Sequence, residues 1–355
     1  MQNSAYIRLS ISLVVCFSII LYNFCINLKP FYSGSHTALI PTGDGSLSEE
    51  KSEVKTEKKE NVSSNKSEST ISQTNKTETQ SKVESVETSA KDIKGKILEK
   101  YISPYNAPSS YDKVYMKNLT SAKIDIKTLL NAELSFKAAV NSDEPQVLIV
   151  HTHATESFMT EDKGYYTDSF SPRNRDNSKN MVKIGEVLTS KLNSAGIKTL
   201  HSKTQHDYPE YTGSYNRSAE TIRWYLKKYP SIKVVIDLHR DSISDGDTDK
   251  SMLLTKIDGK KAAQVMLVMG SQTGNVSGHP NWKENLKLAF KLQQNIEKSY
   301  PTLARPLMLA SKLYNQHLTK GSLLIEFGTD ANTLSEAIYS AELVANAIAK
   351  TLKEG

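Results

Sequence analysis

The chain has few of the residues and motifs on which redox and nucleotide-binding sites commonly depend. Its 355 residues include only two cysteines, Cys16 and Cys25, and both lie within one apolar block near the N-terminus. The remainder has no thiol and therefore forms no disulfide. A glycine-rich phosphate loop, a nucleophile elbow and a C-x-x-C motif are also absent. The sequence thus argues against P-loop nucleotide enzymes, α/β-hydrolases and thiol redox proteins.

The chain also lacks a strong excess of charge of one sign. Its net charge at neutral pH is +6, and the basic residues are spread along the sequence rather than gathered in one run. Nucleic-acid-binding domains usually show a concentrated basic patch or stripe. We therefore expect no nucleic-acid partner, although the weak positive charge is compatible with anionic surfaces or polymers.

Residues 1–32 are predicted to form an N-terminal membrane anchor. The apolar block over residues 7–28 contains one charged residue, Arg8, and is long enough to span a bilayer. The sequence Asn23-Phe24-Cys25 makes a poor signal-peptidase site, so we expect the anchor to remain uncleaved. Its N-terminal position predicts a single-pass membrane protein whose remaining residues lie outside the cytoplasm.

Residues 33–92 are predicted to be a disordered linker. Lys, Glu, Ser and Thr dominate this segment, and aromatic residues are absent from residues 33–90. Such a composition buries too little apolar surface to offset the entropy of the chain. We expect a tether or spacer between the membrane and the folded part.

Residues 143–355 are predicted to form an α/β domain with three layers, in which helices flank a mostly parallel sheet. Apolar strand patterns alternate with amphipathic helix patterns along this region. Strands are predicted at 147–150, 197–202, 232–239 and 322–328, with two more within 251–270 that join at Asp258-Gly259. Helices are predicted at 178–196 with Ser178 as N-cap, at 217–230, at 281–301 and at 333–355 with Thr333 as N-cap.

Residues 93–142 have no clear assignment from sequence. The stretch "IDIKTLLNA" suggests a short helix and "SFKAAV" a strand. The segment either edges the main domain or forms a small module of its own.

Candidate metal ligands follow three of the predicted strands. His151 and His153 follow "VLIV", His239 follows "VVIDL", and Glu326 follows "LLI". Because ligands of parallel α/β sheets bind outside the carboxyl ends of the strands, we expect these side chains to lie close together. Imidazole and carboxylate groups are the ligands of catalytic zinc, which keeps one position open for water. The pattern predicts a zinc site, with Glu326 free to take a proton from that water.

The residues after "VLIV" leave the ligand set open. His151 and His153 both face one ion if the backbone stays extended, whereas only one does if the chain turns after Val150. An isolated histidine is more often a satisfied polar residue than a ligand, and we expect this of His36, His201 and His206. For Glu326 the structural alternative is an ion pair with Arg240.

Further polar residues are weaker candidates for substrate contact, and each has a structural alternative. Four lie at strand ends, in loops or near a helix start: Arg217, Arg240, His279 and His317. The loop residues Tyr208 and Tyr211 either stack on sugar or peptide, or pack their loops against the domain.

The order of motifs resembles that of the stage II sporulation protein P family. The resemblance rests on the stretches "VLIVHTHATESF", "YNRSAETIRWYL", "VVIDLHRDS", "HPNWKENL" and "YNQHLTKGSLLIEFGTDANTLSEA". The resemblance covers about residues 143–355, together with the arrangement of an anchor followed by a variable linker. Members of this family are membrane-anchored cell-wall hydrolases of endospore-forming bacteria.

The family is in turn similar to zinc-dependent N-acetylmuramoyl-L-alanine amidases. In those enzymes one histidine follows the first strand, another ends a later strand, and a glutamate ends the last strand. His153 (or His151), His239 and Glu326 match these positions. The amidases take a further glutamate ligand from the start of the first helix, but "RDNSKNMV" has none there. Either Glu156 replaces it, or both His151 and His153 bind the ion.

The resemblance implies a function as well as a fold. It implies cleavage of the amide between N-acetylmuramic acid and L-alanine in peptidoglycan, with cutting of peptide cross-links as a second activity. It further implies a role in septum thinning and forespore engulfment, between the mother-cell and forespore membranes, with sporulation proteins D and M as partners. The alternative is a catalytically silent wall-binding or scaffold module of the engulfment complex.

Overall fold

The computed structural model describes residues 92–355. The predicted anchor (residues 1–32) and the predicted linker up to residue 91 lie outside the described residues. Among the helices of residues 92–355, none combines the length and apolar character that a bilayer crossing requires.

The described residues alternate between strands and helices along most of their length. The strands are β1 (Ile93–Lys100), β2 (Ser109–Tyr111), β3 (Val114–Asn118), β4 (Val147–Val150), β5 (Tyr165–Thr167), β6 (Thr199–His201), β7 (Val234–Asp241), β8 (Ser244–Asp245), β9 (Asp249–Ile257), β10 (Lys260–Ala263), β11 (Val265–Gly270), β12 (Leu307–Ala310) and β13 (Ser322–Thr329). The α-helices are α1 (Ile126–Asn131), α2 (Met181–Ser194), α3 (Ser214–Lys228), α4 (Trp282–Ser299) and α5 (Leu334–Glu354).

Eight strands form the main sheet in the order β2-β3-β12-β11-β13-β7-β4-β6. Five of its seven strand pairs are parallel; β2 with β3 and β11 with β13 are the antiparallel pairs. The prediction of an α/β domain with a mostly parallel sheet is confirmed. The neighbours β13, β7 and β4 are parallel to one another, so their carboxyl ends meet at one edge of the sheet.

Helices cover both faces of the main sheet. Since successive residues of a strand point to opposite faces, each strand contributes side chains to the cores on both sides. Val147 and Ile149 of β4 pack into the large core with apolar residues of α1, α2, α4 and α5. Leu148 and Val150 pack on the other face, in a smaller core that includes Ile222 of α3. The solid apolar run of β4 therefore reflects burial on both faces, as parallel strands require.

Residues 93–118, which sequence left unassigned, contribute to both sheets. β1 pairs with β5 and β9 in a second sheet, which also contains β8 and β10. β2 and β3 extend the edge of the main sheet, where β3 pairs with β12. The apolar side chains Ile126 and Leu130 of α1 join the large core.

Three details of the predicted elements are wrong. α2 begins after Asn180, whose side chain accepts a hydrogen bond from the Val182 N–H at 2.9 Å, so Ser178 is not the N-cap. Residues 135–140 form no strand. The region 251–270 forms three strands rather than two, because the chain leaves the second sheet at the buried Gln264 and starts β11 in the main sheet.

Gly328 near the end of β13 has a conformation and surroundings that exclude a side chain. Its φ is +64°, and an added Cβ would lie 2.8 Å from the Ala263 Cβ and against the Asn332 side chain. Asn332 is fully buried, accepts a hydrogen bond from the Thr329 N–H at 2.9 Å and donates to the Leu253 carbonyl at 3.1 Å. It cannot move aside without losing these bonds.

We therefore expect Gly328→Ala to lower the free energy of unfolding by about 2–4 kcal/mol. A left-handed L-residue costs roughly 1–2 kcal/mol, and loss of a buried hydrogen bond costs about 1–3 kcal/mol. Gly164→Ala is the matched control, because Gly164 has a φ of +70° but no atom within 4 Å of an added Cβ. Urea unfolding of the two variants should differ clearly; equal losses would mean that the surroundings of Gly328 contribute nothing.

Candidate functional site

Three adjacent strands bring the candidate site residues to the carboxyl edge of the main sheet. In the parallel pairing of β7 with β13, His239 lies directly beside Glu326. In the pairing of β4 with β7, Val150 lies beside Asp237. Asp237 and His239 are two residues apart in β7 and therefore point to the same face. That face is the one on which α3 packs, because Val235 contributes to the smaller core.

His153, Glu156 and His239 come together above these strand ends. Glu156 Oε2 lies 3.6 Å from His239 Nδ1. The rings of His153 and His239 are edge to face, with centroids 5.3 Å apart. All three residues are buried, and His153 Nδ1 has no hydrogen-bond partner, whereas His239 Nε2 lies 3.1 Å from Asp237 Oδ1. An unsatisfied buried nitrogen beside a carboxylate requires a physical explanation.

His151 points away from this cluster. The chain turns directly after β4, and the His151 ring lies in contact with α2 at Gly185, on the opposite face of the sheet. Its Nε2 is 2.7 Å from His201 Nε2, so one ring donates a hydrogen bond to the other. The backbone carbonyl of His151 is in turn 2.7 Å from His206 Nδ1. Of the two histidines that follow β4, only His153 faces His239.

The charges around His239 set the protonation of the cluster. Burial alone would lower the pKa of His239, but the carboxylates of Asp237 and Glu156 raise it well above its ordinary value. Burial is the largest cause, and the neighbouring His239 the second, of a shift that lowers the pKa of His153 to about 4. The chain therefore holds His153 as a neutral imidazole, which is the form that binds metals, whereas His239 is held as an imidazolium that must release its proton when a metal binds.

Glu326 lies beside the cluster without joining it. Its side chain is partly exposed, yet its Oε2 is buried and has no hydrogen-bond partner. Burial raises the pKa of the Glu326 carboxyl to about 8. The predicted alternative, an ion pair with Arg240, is not formed, because the Arg240 guanidinium donates to backbone carbonyls instead.

Two arginines that sequence suggested as substrate contacts hold loops of the site. Arg240 is buried and donates to the carbonyls of Ser157, Pro172 and Asp241. Its backbone N–H also donates to Glu156 Oε2 at 3.2 Å. Arg217 donates in the same way to the carbonyls of His206, Glu210 and Thr212. Each guanidinium thus fixes, through hydrogen bonds, backbone that lies beside His153 and His239.

His279 and His317 form a separate pair. Their ring centroids are 6.4 Å apart, and His279 is fully buried in the segment between β11 and α4. Neither ring contacts His153 or His239 among the aromatic contacts of the described residues. The structure therefore does not bring them to the cluster.

Several residues of the site were missed by sequence reasoning. Asp237 is buried, lies 3.1 Å from His239 Nε2 through Oδ1, and accepts hydrogen bonds from the Thr152 N–H and hydroxyl at 2.8 and 2.6 Å. Its position two residues before His239 on a strand was a usable signal. Tyr215 lies against the rings of His153 and His239, and Arg173 lies near Glu156. Tyr215 and Arg173 come from other segments of the chain, and no spacing pattern in the sequence indicates their place in the site.

The cluster of His153, Glu156 and His239 contains the side-chain types that bind zinc, although these side chains are not arranged around one metal position. Within residues 92–355, no group of three or more His, Cys, Asp or Glu side chains could hold a metal ion as it stands. However, two imidazoles and one carboxylate are the donor set of many catalytic zinc sites. The buried His153 Nδ1 has no other partner, and His239 turns its Nδ1 toward Glu156 Oε2 at 3.6 Å. The residues present therefore fit the ion that the sequence predicted.

The chain is similar to one described protein family and to one characterised member of it. The family model "Stage II sporulation protein P (SpoIIP)" matches residues 34–349. The stage II sporulation protein P of Bacillus subtilis strain 168 is 31% identical over 227 residues, which are 61% of this chain and 53% of that protein. The chain thus spans about half the length of this relative.

Solved structures of N-acetylmuramoyl-L-alanine amidases also align with the chain, at low similarity. The amidase of Nostoc punctiforme has 14% identity and a TM-score of 0.35, with 60% of this chain and 97% of that one covered. The amidase of Clostridium difficile 630 has 17% identity and a TM-score of 0.36, with 60% and 97% covered. The amidase of Mycobacterium smegmatis has 12% identity and a TM-score of 0.37, with 61% and 100% covered. Scores of this size do not establish a common fold.

The environment of Arg240 predicts that its loss acts on stability. We expect Arg240→Met to lower the free energy of unfolding by about 2–4 kcal/mol, because it leaves three carbonyls without their charged donor. Arg223→Met, at an exposed position of α3, should change stability by less than about 0.5 kcal/mol. Denaturant unfolding measures both. A small loss of stability in Arg240→Met together with weaker substrate binding would identify Arg240 as a substrate contact instead.

Proposed function

The chain belongs to the stage II sporulation protein P family, and from this premise we propose that it is a zinc-dependent peptidoglycan hydrolase. The bond cut is the amide between N-acetylmuramic acid and L-alanine, with peptide cross-links as a second target. The observation that carries the proposal is the meeting of His153, Glu156 and His239 beside Glu326 at the carboxyl edge of the sheet.

His153, Glu156 and His239 would hold the zinc ion. His239 presents Nδ1 toward Glu156, while its Nε2 lies 3.1 Å from the Asp237 carboxylate. Asp237 thus stands on the side of the ring away from Glu156, where a carboxylate can orient a ligating imidazole. His151 is left out of the ligand set, because it is engaged with His201 on the other face of the sheet.

Zinc in such a site lowers the pKa of a bound water and polarises a carbonyl. Glu326 is the residue of this chain that moves protons. It lies beside His239 in the strand pairing, and its Oε2 is not engaged by any protein group. The charge of the bound ion would favour the ionised form of the Glu326 carboxyl, which would then accept the proton of the attacking water and pass it to the leaving nitrogen of L-alanine. A carboxylate held in ion pairs could not exchange protons so readily.

The wider function follows the family. The chain acts outside the cytoplasm between the mother-cell and forespore membranes, anchored by residues 1–32, and thins septal peptidoglycan during engulfment with sporulation proteins D and M. The competing function is a wall-binding or scaffold module without activity. It is favoured by one observation, that no finished metal cage exists among residues 92–355.

Digestion of purified peptidoglycan, followed by mass spectrometry, separates these functions. We expect the purified chain with zinc to release peptides with a free L-alanine amine and to leave glycan without peptides. Addition of a chelator should abolish the release, and renewed zinc should restore it. Cleavage of cross-links alone would show that the bond is misassigned. Binding of peptidoglycan without any release would support the scaffold function.

Two substitutions distinguish the proton carrier from a zinc ligand. Glu326→Gln should keep the fold and the zinc content but lower turnover by at least about 100-fold, since general acid–base catalysis contributes roughly 10²–10⁴-fold. His239→Ala should lower both zinc content and turnover. Zinc content by elemental analysis and peptide release by mass spectrometry measure the two effects. Near-normal turnover in Glu326→Gln would remove Glu326 from the mechanism, and full zinc occupancy in His239→Ala would remove His239 from the ligand set.

A further inference from the structure

Three side chains from separate segments form a stack over the candidate metal site. The Tyr211 ring lies face to face on the His153 ring, with centroids 4.5 Å apart and an angle of 14° between the planes. The Arg173 guanidinium carbon lies 4.7 Å from the centroid of the Tyr211 ring. The tyrosine thus connects a guanidinium to the imidazole of a proposed zinc ligand.

The arginine end of the stack is fixed by a buried carboxylate. Arg173 Nη1 lies 2.7 Å from Asp207 Oδ2, and the Asp207 side chain is fully buried. The same carboxylate accepts hydrogen bonds from the N–H and hydroxyl of Thr155. Arg173 Nη2 lies 3.8 Å from Glu156 Oε1. One guanidinium therefore contacts both Tyr211 and a second proposed ligand, Glu156.

The tyrosine itself is held from its backbone. Arg217 donates to the carbonyls of Glu210 and Thr212, the residues on either side of Tyr211. Although the Tyr211 side chain is 56% exposed, its position above His153 is set by this anchored loop. The stack is thus fixed at its arginine end and at its centre.

The proposed ligands His153 and Glu156 need such support more than His239 does. His239 lies within β7 and is paired with Glu326 of β13. His153 lies in the turn that follows β4, and Glu156 lies just after this turn, in an isolated bridge with Arg173. Ligands that are not held in place before the ion arrives lose affinity, because their side chains must be ordered on binding.

We propose that the Arg173–Tyr211–His153 stack positions two zinc ligands, His153 through the tyrosine ring and Glu156 through the guanidinium. This inference rests on the proposed zinc site. Arg173 and Tyr211 act as positioning residues and touch neither the ion nor the scissile bond. The tyrosine acts through its ring face, so its hydroxyl is dispensable for this role.

The same loops supply a matched control pair. Tyr208 is also exposed, at 45%, and the Arg175 guanidinium carbon lies 3.7 Å from its ring centroid. This second Tyr–Arg pair joins the same two segments as Tyr211 and Arg173. Its aromatic contacts include none with His153 or His239 among the described residues. Loss of Tyr208 removes equivalent stacking without touching a proposed ligand.

Zinc affinity of the whole chain, measured by competition with a chromophoric chelator, tests the inference. We expect Tyr211→Ala to weaken zinc binding by about tenfold, within the 10–100-fold range of lost ligand support. Tyr211→Phe should bind zinc within about twofold of the unaltered chain, and Tyr208→Ala should do the same. Arg173→Gln should weaken binding as well, and the double variant with Tyr211→Ala should lose less than the product of the two single effects.

The outcomes separate this inference from the proposed function. Unchanged zinc affinity in Tyr211→Ala, or an equal loss in Tyr208→Ala, would overturn the stack while leaving the zinc site intact. Failure of the unaltered chain to bind zinc would overturn both. Thermal unfolding of each variant without zinc shows whether the fold is kept. Tyr211→Leu serves as the second truncation and should weaken binding like Tyr211→Ala if a ring face is required.

Discussion

The parallel pairing of β4, β7 and β13 is the constraint on which the candidate site depends. These strands are neighbours in the sheet and run in the same direction, so the residues that follow each apolar run reach one edge. The register places His239 directly beside Glu326. A shift of one residue in either strand would turn one of these side chains into the large core on the opposite face. The apolar residues on both faces of β7 therefore also determine which polar side chains face each other.

This dependence explains how much of the molecule was predictable from its sequence. The strands and helices from β4 onward follow from hydrophobic periodicity and capping, and Thr333 and Glu336 form the predicted capping box. The grouping of His153, His239 and Glu326 follows from their positions after the apolar runs of three parallel strands. Residues 93–118 could not be placed in this way. Their strands are defined by pairing with β9 and β12, more than a hundred residues away, and such partners leave no mark in the local sequence.

The roles of individual side chains were less predictable than their locations. The sequence does not distinguish the roles of Arg173, Arg217 and Arg240. In the fold, each of them donates to a different set of acceptors. Arg217 donates to three carbonyls of one irregular loop, and Arg240 donates to the loop carbonyls of Ser157 and Pro172 and to that of Asp241 at the end of β7. A guanidinium carries five N–H donors in a fixed plane and can serve several such carbonyls at once. Whether an arginine holds a loop or contacts a substrate is therefore decided by backbone that only the fold brings near it.

The two kinds of support at the site follow from where each candidate ligand lies. A side chain on a strand takes its position from the pairing of its backbone; His239 is paired with Glu326 of β13 and also contacts the carboxylate of Asp237. A side chain on a turn has no such frame. His153 lies in the turn after β4 and Glu156 in an isolated bridge with Arg173, so both take their position from contacts with other loops. The segments that contain Arg173 and Tyr211 provide that support; Asp207 and Arg240 anchor the first, and Arg217 anchors the second. A substitution far from the candidate zinc site in sequence can thus act on its geometry without any contact with the ion.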